Sequence, residues 1–361
     1  MTIKKILFTL TILITLISSK GFCEEGPYRI SVLSEQIPKD VDLFFHDDEP
    51  LTLAIDEEQF TEYTITGNEH FNVSLDNDKV KVTQVSGTGA SLREMTIEKN
   101  STISFITAST RKTYNDYTVL VNKSKKAHYQ GVIHVSKLGR SLLILLYAKR
   151  LQVLAEIMEP ETAIINSDEA LKAQAVLTRT LINSKLDSHA MGRYDLCDME
   201  HCSTYKNRGE ATKRALEALI ATEDKILVYD NHPVSPHFFN TCGGRTSLMS
   251  TSWGVNDSLA PHIKSVKCDY CVDSKNYRYK KRFNRQTLSQ IFLGSDDKGF
   301  NVKVTKYDKN KHWIDTVEIS SSTYKYTMKG NKFMRLVSNS MGMDALPSGA
   351  FSIKKKGDVF I

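Results

Sequence analysis

The hydrophobic periodicity changes near residue 126, and this change constrains the fold more than any other feature of the 361-residue chain. Before it, apolar and polar residues alternate in short β-branched runs such as Phe71–Leu75 and Val80–Val85, a pattern typical of antiparallel strands. After it, Glu169–Leu186 is rich in helix formers and places its apolar residues on one face. The sequence predicts an α+β protein with an N-terminal antiparallel β module, residues 28–125, and a mixed α/β core, residues 127–361.

Composition excludes several classes of protein. Hydrophobic residues make up 40% and charged residues 25% of the chain, which rules out collagen and general disorder. The 48 Lys and Arg residues are interleaved with 42 Asp and Glu residues, giving a net charge of only +6. A dedicated nucleic-acid binder concentrates basic charge, so no nucleic-acid partner is predicted.

The N-terminus resembles a secretory signal peptide. Lys4 and Lys5 precede an apolar run from Ile6 to Ile17, and small residues follow. This run is shorter than the roughly 20 residues of a membrane-spanning helix. Residues 1–23 are therefore predicted to direct export to the periplasm or cell envelope, with an uncleaved membrane anchor as the alternative.

Four short motifs carry the chemistry-bearing residues of the second half. They are Glu169-Ala-Leu-Lys-Ala-Gln-Ala175 with Arg179-Thr180, Asp195-Leu-Cys-Asp-Met-Glu-His-Cys202 with Tyr205, Asn240-Thr-Cys-Gly-Gly-Arg-Thr246, and Ser265-Val-Lys-Cys-Asp-Tyr-Cys271. In this order and spacing the motifs resemble those of the SpoIID/LytB family of cell-wall proteins. The resemblance extends over roughly residues 127–350.

The resemblance implies a role on peptidoglycan. SpoIID-like proteins are lytic transglycosylases, which cut glycan strands without water, whereas LytB-like relatives enhance a cell-wall amidase. We therefore expect an exported lytic transglycosylase that acts on peptidoglycan glycan strands. The alternative is a non-catalytic peptidoglycan-binding protein whose partner is an amidase.

The resemblance also implies a pair of acidic residues. The family pattern has two acids eight residues apart, and Glu161 and Glu169 match that spacing, although Glu161 lacks the Met-Pro that usually follows the first acid. One of them is expected to serve as acid and base, which requires a partly desolvated carboxyl; Glu169, which keeps its surrounding motif, is the first choice. The alternatives are that Glu169 is the capping-box partner of Asn166 and that Glu161 is a solvated loop acid.

Four further residues are expected to bind substrate. Arg179 has a guanidinium suited to a two-pronged contact with a substrate carboxylate, and it lies on the same predicted helix as Gln174. The alternative for both residues is that their side chains lie on the solvent-facing side of the helix and do not bind substrate. The other two expected substrate ligands, in the second and third motifs, are Tyr205 and Arg245.

The cysteines suggest two local sites. Cys197, His201 and Cys202 place soft ligands within six residues, and His189 would complete a tetrahedral zinc site. A disulfide between the two cysteines, or free thiols, remain alternatives. A zinc-dependent hydrolase is disfavoured, because four protein ligands leave no open position for water.

A second group comprises Cys242, Cys268 and Cys271. For these three we predict a structural disulfide, with a redox site as the alternative.

The C-terminal end departs from the family pattern. Relatives continue into a Gly/His-rich segment, whereas this sequence stops at Val359-Phe360-Ile361. We expect a terminal strand with an unpaired edge, which favours association. The prediction is a homodimer joined through this end, or a partner protein that covers it.

Overall fold

The computed structural model describes most of the chain as two compact units, which divide between Pro236 and His237. The described residues are 26–45, 50–56, 58–66, 68–76, 78–98, 101–107, 115–121, 125–162, 165–202, 205, 213–238, 241–342 and 345–361. The predicted signal peptide lies outside them. None of the helices within these ranges combines the length and apolar character that a membrane span requires.

The first unit is dominated by β-structure. Its described strands are β1 (Tyr28–Val32), β2 (Asp40–Phe45), β3 (Leu51–Ile55), β4 (Gln59–Tyr63), β5 (His70–Asp76), β6 (Lys79–Val85), β7 (Ser91–Ile97), β8 (Thr102–Thr107), β9 (Asn115–Val121), β10 (Lys125–Leu138), β11 (Ser141–Ala148), β12 (Leu196–Cys197), β13 (Val228–Tyr229) and β14 (His232–Pro233). Most hydrogen-bond in the order β12-β1-β11-β10-β9-β2-β5-β6-β7, and β8 joins β10 to the β3–β4 hairpin.

Strand β10 belongs to both halves of this sheet system. Its first half pairs with β9 and its second half with β11 and β8. Gly131 lies at the change of partner, where an added Cβ would come within 2.6 Å of the Tyr147 carbonyl oxygen. Only glycine permits this close approach of two strands.

Three α-helices lie in the described part of the first unit: α1 (Arg150–Thr162), α2 (Asp168–Asn183) and α3 (Lys213–Ala221). Their apolar faces contribute Val153, Leu171 and Leu219 to the same buried cluster that contains Ile133 and Leu146 of the sheet. Helices and strands therefore share one hydrophobic core, and burial of this common surface is what stabilises their association.

The second unit has a separate core. It contains the helices and strands α4 (Met249–Ser252), β15 (Phe283–Asn284), α5 (Arg285–Leu293), β16 (Asn301–Tyr307), β17 (Ile314–Ser320), β18 (Lys325–Lys329), α6 (Gly330–Met341), β19 (Lys355–Lys356) and β20 (Val359–Phe360). Buried Phe300, Val317 and Phe333 join its sheets to its helices. The mixture of helices and sheets in both units confirms the predicted α+β class.

The unit boundary differs from the sequence-based boundary near residue 126. Strand β10 runs through that position without interruption, from Lys125 to Leu138. The predicted β module, residues 28–125, shares its core with the helices that follow. The change in hydrophobic period therefore marks a change of secondary structure within one core.

The predicted unpaired edge at the C-terminus is wrong. Val359 pairs with Asn284 on one side and with Lys356 on the other. Strand β20 is therefore the central strand of a three-stranded sheet, and Phe360 is 1% exposed. The sequence could not reveal these short partners, each only two residues long.

A half-buried histidine gives the first unit a predicted acid sensitivity. His134 of β10 stacks on Tyr147 at 4.1 Å and contacts Ser104 Oγ through Nδ1 at 3.2 Å. Burial lowers the pKa of His134 from 6.5 to about 4. Between pH 6.5 and pH 4 the unfolded chain therefore binds a proton at His134 that the folded chain excludes. The contribution of neutral His134 to the free energy of unfolding is complete above pH 6.5 and is lost as the pH falls towards 4.

We expect His134→Asn to reduce the dependence of the free energy of unfolding on pH. Between pH 7 and pH 4 the wild type should lose at most about 3 kcal/mol through this group, measured by urea unfolding at both pH values. The exposed His232 provides the control, since His232→Gln should keep the wild-type difference. An equal loss of stability in His134→Asn and the wild type would contradict the assignment.

Candidate functional site

Four potential metal ligands converge in the first unit. His189 lies in the 3₁₀ segment Leu186–Gly192 after α2, Cys197 lies in β12, and His201 and Cys202 lie in the turn Glu200–Cys202. Their ligand atoms all lie within 4.8 Å of one another. The structure thus brings together the four residues that the sequence predicts as a zinc site.

The distances between ligand atoms fit a tetrahedral cation. His189 Nε2 lies 3.0 Å from Cys202 Sγ and 3.1 Å from His201 Nε2, and the His201 nitrogen lies 3.3 Å from Cys197 Sγ. Zinc bonds of about 2.0 Å to nitrogen and about 2.3 Å to sulfur place two nitrogens about 3.3 Å apart and a nitrogen and a sulfur about 3.5 Å apart. The donor set and its spacing therefore suit Zn²⁺.

Backbone pairing and two aspartates position the cysteine loop. Strand β12 pairs in parallel with β1, which holds Cys197 beside Ser31. Asp195 accepts hydrogen bonds from the Arg29 backbone N–H at 2.8 Å and from the Arg29 guanidinium at 2.7 Å. Asp198 accepts backbone N–H bonds from Leu33 at 2.7 Å and Ser34 at 3.1 Å. The first strand of the chain therefore supports a ligand about 165 residues later.

The surroundings of Cys197 and His189 favour the neutral forms of these two side chains when no cation is bound. Burial raises the pKa of the Cys197 thiol to about 11. Burial, followed by the nearby His201, lowers the pKa of His189. Neutral imidazole is the form that coordinates metals, and a bound divalent cation would favour the thiolate.

Glu169 lies at an exposed helix start. Ser167 is the N-cap of α2 and its side chain accepts from the Ala170 N–H, so Glu169 follows the cap by two positions. The capping-box alternative through Asn166 is therefore wrong. The Glu169 side chain is 81% exposed and pairs with Lys172 Nζ at 2.6 Å. This location lacks the desolvation expected of a general acid.

Glu161 belongs to the last turn of α1, and not to a loop as its solvated alternative assumed. Its side chain lies outside the described residues. Both acids thus flank the connection between α1 and α2. Arg214 of α3 holds this connection by donating to the Ile165 carbonyl oxygen at 3.2 Å and to Asp168 Oδ1 at 3.0 Å.

A third carboxyl, which the sequence interpretation missed, is buried in α1. Glu156 is 6% exposed, and burial raises its pKa. Its Oε1 accepts from Gln152 Nε2 at 2.7 Å, whereas its Oε2 has no hydrogen-bond partner among the described residues. The sequence feature that could have identified Glu156 is the presence of an acid between Ala155 and Ile157 within an apolar helix.

Tyr205 is buried beside this carboxyl and does not face solvent. It is 4% exposed, and its hydroxyl lies near Glu156 without hydrogen-bond geometry. Burial raises the pKa of Tyr205. The expected substrate contact would require this ring to leave the core.

Arg179 is engaged by the backbone. Its guanidinium donates to the carbonyl oxygens of Leu219 at 2.9 Å, Thr222 at 2.8 Å and Lys225 at 3.0 Å. These acceptors include orphan carbonyls at the C-terminal end of α3, where a cation is favourable. Gln174 is half-buried and makes a long contact of 3.5 Å with Thr178 Oγ1. The arrangement gives Arg179 a role in joining α2 to α3.

We expect Arg179→Ala to destabilise the first unit by about 2–3 kcal/mol, because hydrogen bonds from a charged donor are lost. Urea unfolding measures this change. Lys213→Ala on exposed α3 surface is the matched control and should change stability by less than about 0.5 kcal/mol. Unchanged stability in Arg179→Ala, combined with weakened glycan binding, would instead support the substrate-binding role.

The second unit holds Arg245 and the three remaining cysteines. Arg245 is half-buried and donates to the Ser265 carbonyl oxygen at 3.2 Å. The sulfur atoms of Cys242, Cys268 and Cys271 lie within 4.8 Å of one another. All three residues carry free thiols in the structure, so the predicted disulfide among them is not formed there.

Comparison with known proteins identifies the region that contains the first site. The profile of the SpoIID family, described as Stage II sporulation protein, matches residues 150–229. Stage II sporulation protein D of Bacillus subtilis (strain 168) is 28% identical over 207 residues, covering 53% of this chain and 56% of that protein. The Bacillus amyloliquefaciens protein of the same name is 29% identical over 150 residues, covering 36% of this chain and 43% of the relative.

The chain thus spans about half the length of the curated relatives it matches. The family match begins at the first residue of α1 and ends at the last residue of β13. It therefore includes both candidate acids and all four converging ligands. The chain is therefore related to the SpoIID family through residues 150–229.

Proposed function

We propose that this protein is an exported lytic transglycosylase that cleaves peptidoglycan glycan strands. The observation that carries the proposal is the placement of two acids on either side of the α1–α2 connection, within the SpoIID match. The end of α1 and the exposed start of α2 follow each other closely in the chain at this position. Such junctions present side chains to a ligand without disturbing the core.

The chemistry requires one carboxyl group that acts twice. The protonated carboxyl first donates its proton to the glycosidic oxygen, and the bond from that oxygen to the anomeric carbon breaks. The 6-hydroxyl of the same sugar then attacks the anomeric carbon, and the carboxylate accepts the hydroxyl proton. The product is a 1,6-anhydro sugar, no water is consumed, and the carboxyl returns to its initial state.

The surroundings of Glu169 favour Glu161 as this acid. The Glu169 side chain is 81% exposed and already paired with Lys172. It therefore lacks the partly desolvated surroundings that a proton-donating carboxyl requires. We therefore assign the acid to Glu161, with Glu169 binding the glycan beside it.

The metal centre would have a structural role. Zinc bound by His189, Cys197, His201 and Cys202 would cross-link the segment between α2 and α3. Four protein ligands leave no open position for a water molecule, so the cation would not activate one. Asp195 and Asp198 already hold this loop against β1 by accepting hydrogen bonds from Arg29 and Leu33.

A second candidate function is glycan binding without cleavage, in support of an amidase. The exposure of Glu169 and its pairing with Lys172 favour this alternative, because a surface ion pair can bind polar sugars without chemistry. Mass spectrometry after incubation with purified glycan separates the two. Anhydro-ended fragments support the transglycosylase, whereas intact strands that co-sediment with the protein support the binding role.

The same experiment should use intact and peptide-stripped glycan. Cleavage of stripped glycan alone would place an amidase before this protein in the reaction order. Cleavage of both substrates would show that stem peptides do not block the site. Absence of anhydro ends from both substrates would overturn the proposed activity.

A further inference from the structure

The second unit contains a group of three thiols that the proposed function does not use. Cys242 is buried, whereas Cys268 and Cys271 are half-buried. The two segments that carry them are joined by backbone hydrogen bonds, from the Cys268 N–H to the Gly244 carbonyl oxygen at 3.0 Å and from the Thr246 N–H to the Val266 carbonyl oxygen at 3.0 Å. This pairing holds the thiols together without a covalent link.

The sulfur separation is that of ligands around a cation. Cys242 Sγ lies 3.4 Å from Cys271 Sγ. A disulfide requires about 2.0 Å, whereas two thiolates bound tetrahedrally with metal–sulfur bonds of about 2.3 Å lie about 3.8 Å apart. The third sulfur, of Cys268, lies within 4.8 Å of both. The separation between the sulfur atoms is therefore closer to that of a metal centre with three thiolates than to that of a disulfide.

The backbone around Cys242 forms a tight turn. Gly243 and Gly244 have φ values of +67° and +104°, which favour glycine. Cys242 Sγ lies 3.9 Å from the Cys268 carbonyl oxygen, so the turn keeps Cys242 against the segment that carries the other two thiols. Burial raises the pKa of the Cys242 thiol to about 11, and a bound divalent cation would favour the thiolate.

We propose that Cys242, Cys268 and Cys271 form a second zinc site, independent of the His/Cys centre in the first unit. Three thiolates bind Zn²⁺, and each gives up its proton on binding. Among the described residues no other histidine, cysteine or carboxylate joins the group, so solvent or a small anion takes the fourth position. The cation would tie Cys242 to the Cys268–Cys271 turn.

Differential alkylation of the wild-type protein provides the first test. The protein is purified without reductant or chelator from zinc-supplemented cells, and peptide masses report which cysteines react. We expect these three cysteines to resist alkylation until a chelator is added. A peptide in which Cys242 is bridged to Cys268 or Cys271 would overturn the proposal and assign a disulfide. Full reactivity before chelation would also overturn it.

Elemental analysis provides the second test. Cys268→Ser should lower zinc by about one equivalent per chain, whereas the neighbouring Ser274→Ala should not. Cys197→Ser disables the His/Cys centre of the first unit, so about one equivalent of zinc should remain at the second site in this variant. This comparison separates failure of the second site from failure of the first. Equal zinc in Cys268→Ser and the wild type would contradict the second site.

Discussion

Glu161→Gln is expected to lower the rate of glycan cleavage by about 10²–10⁴-fold, the usual contribution of general acid–base catalysis. The amide keeps the size of the side chain but has no proton that it can transfer and recover. Binding should persist, because most contacts with the strand are unchanged. Release of anhydro-ended fragments measures the rate, and co-sedimentation with glycan measures binding.

Glu169→Gln is the matched control for this prediction. It makes the same change eight residues away, at an exposed carboxylate that already pairs with Lys172. Its cleavage rate should stay much closer to that of the wild type. A large loss in Glu169→Gln alone would move the acid to that residue, and an unchanged rate in both variants would exclude a single-acid mechanism at this junction.

Cys202→Ser is expected to cause the largest loss of stability. Metal binding to a structural zinc site is coupled to folding and is worth about 10–16 kcal/mol in isolated zinc-binding peptides. Because Cys202 is 2% exposed within the first unit's core, its loss should also disturb packing. We expect a drop of more than about 3 kcal/mol in the free energy of unfolding, and a chelator should lower the melting temperature of the wild type.

Met199→Ala serves as the control for the cysteine loop. Met199 lies between the two cysteine ligands but is 40% exposed, so its removal should change stability little. Re-addition of Zn²⁺ should restore the wild-type melting temperature after chelation. A zinc-free protein with Cys197 bridged to Cys202, and no response to a chelator, would contradict the metal centre.

Secondary structure was largely predictable because it depends on local patterns. The predicted runs at Phe71–Leu75 and Val80–Val85 lie within β5 and β6, and the helix predicted from Glu169 is α2. The boundary between the two units was not predictable, because it depends on which helices and strands share a hydrophobic core. Nothing local at residue 126 shows that β10 continues, or that β1 pairs with a strand at Cys197.

The convergence of the four candidate metal ligands was predictable for the same reason, since three of them lie within six residues. The environments of individual polar and charged residues were not predictable from the sequence. Arg179 and Tyr205 have residue types suited to binding, yet tertiary contacts direct one to the carbonyls of α3 and the other into the core. Glu156 was missed because its burial results from the packing of α1, and its apolar neighbours Ala155 and Ile157 were the local signal that the interpretation did not use.

Isotopic water provides the most direct test of the central claim, which is strand cleavage without hydrolysis. Purified glycan is incubated with the protein in water enriched in ¹⁸O, and product masses are measured. A lytic transglycosylase yields anhydro-ended fragments that contain no ¹⁸O from solvent, since the sugar's own hydroxyl closes the ring. Fragments that carry ¹⁸O at a new reducing end, or no fragments at all, would contradict the account.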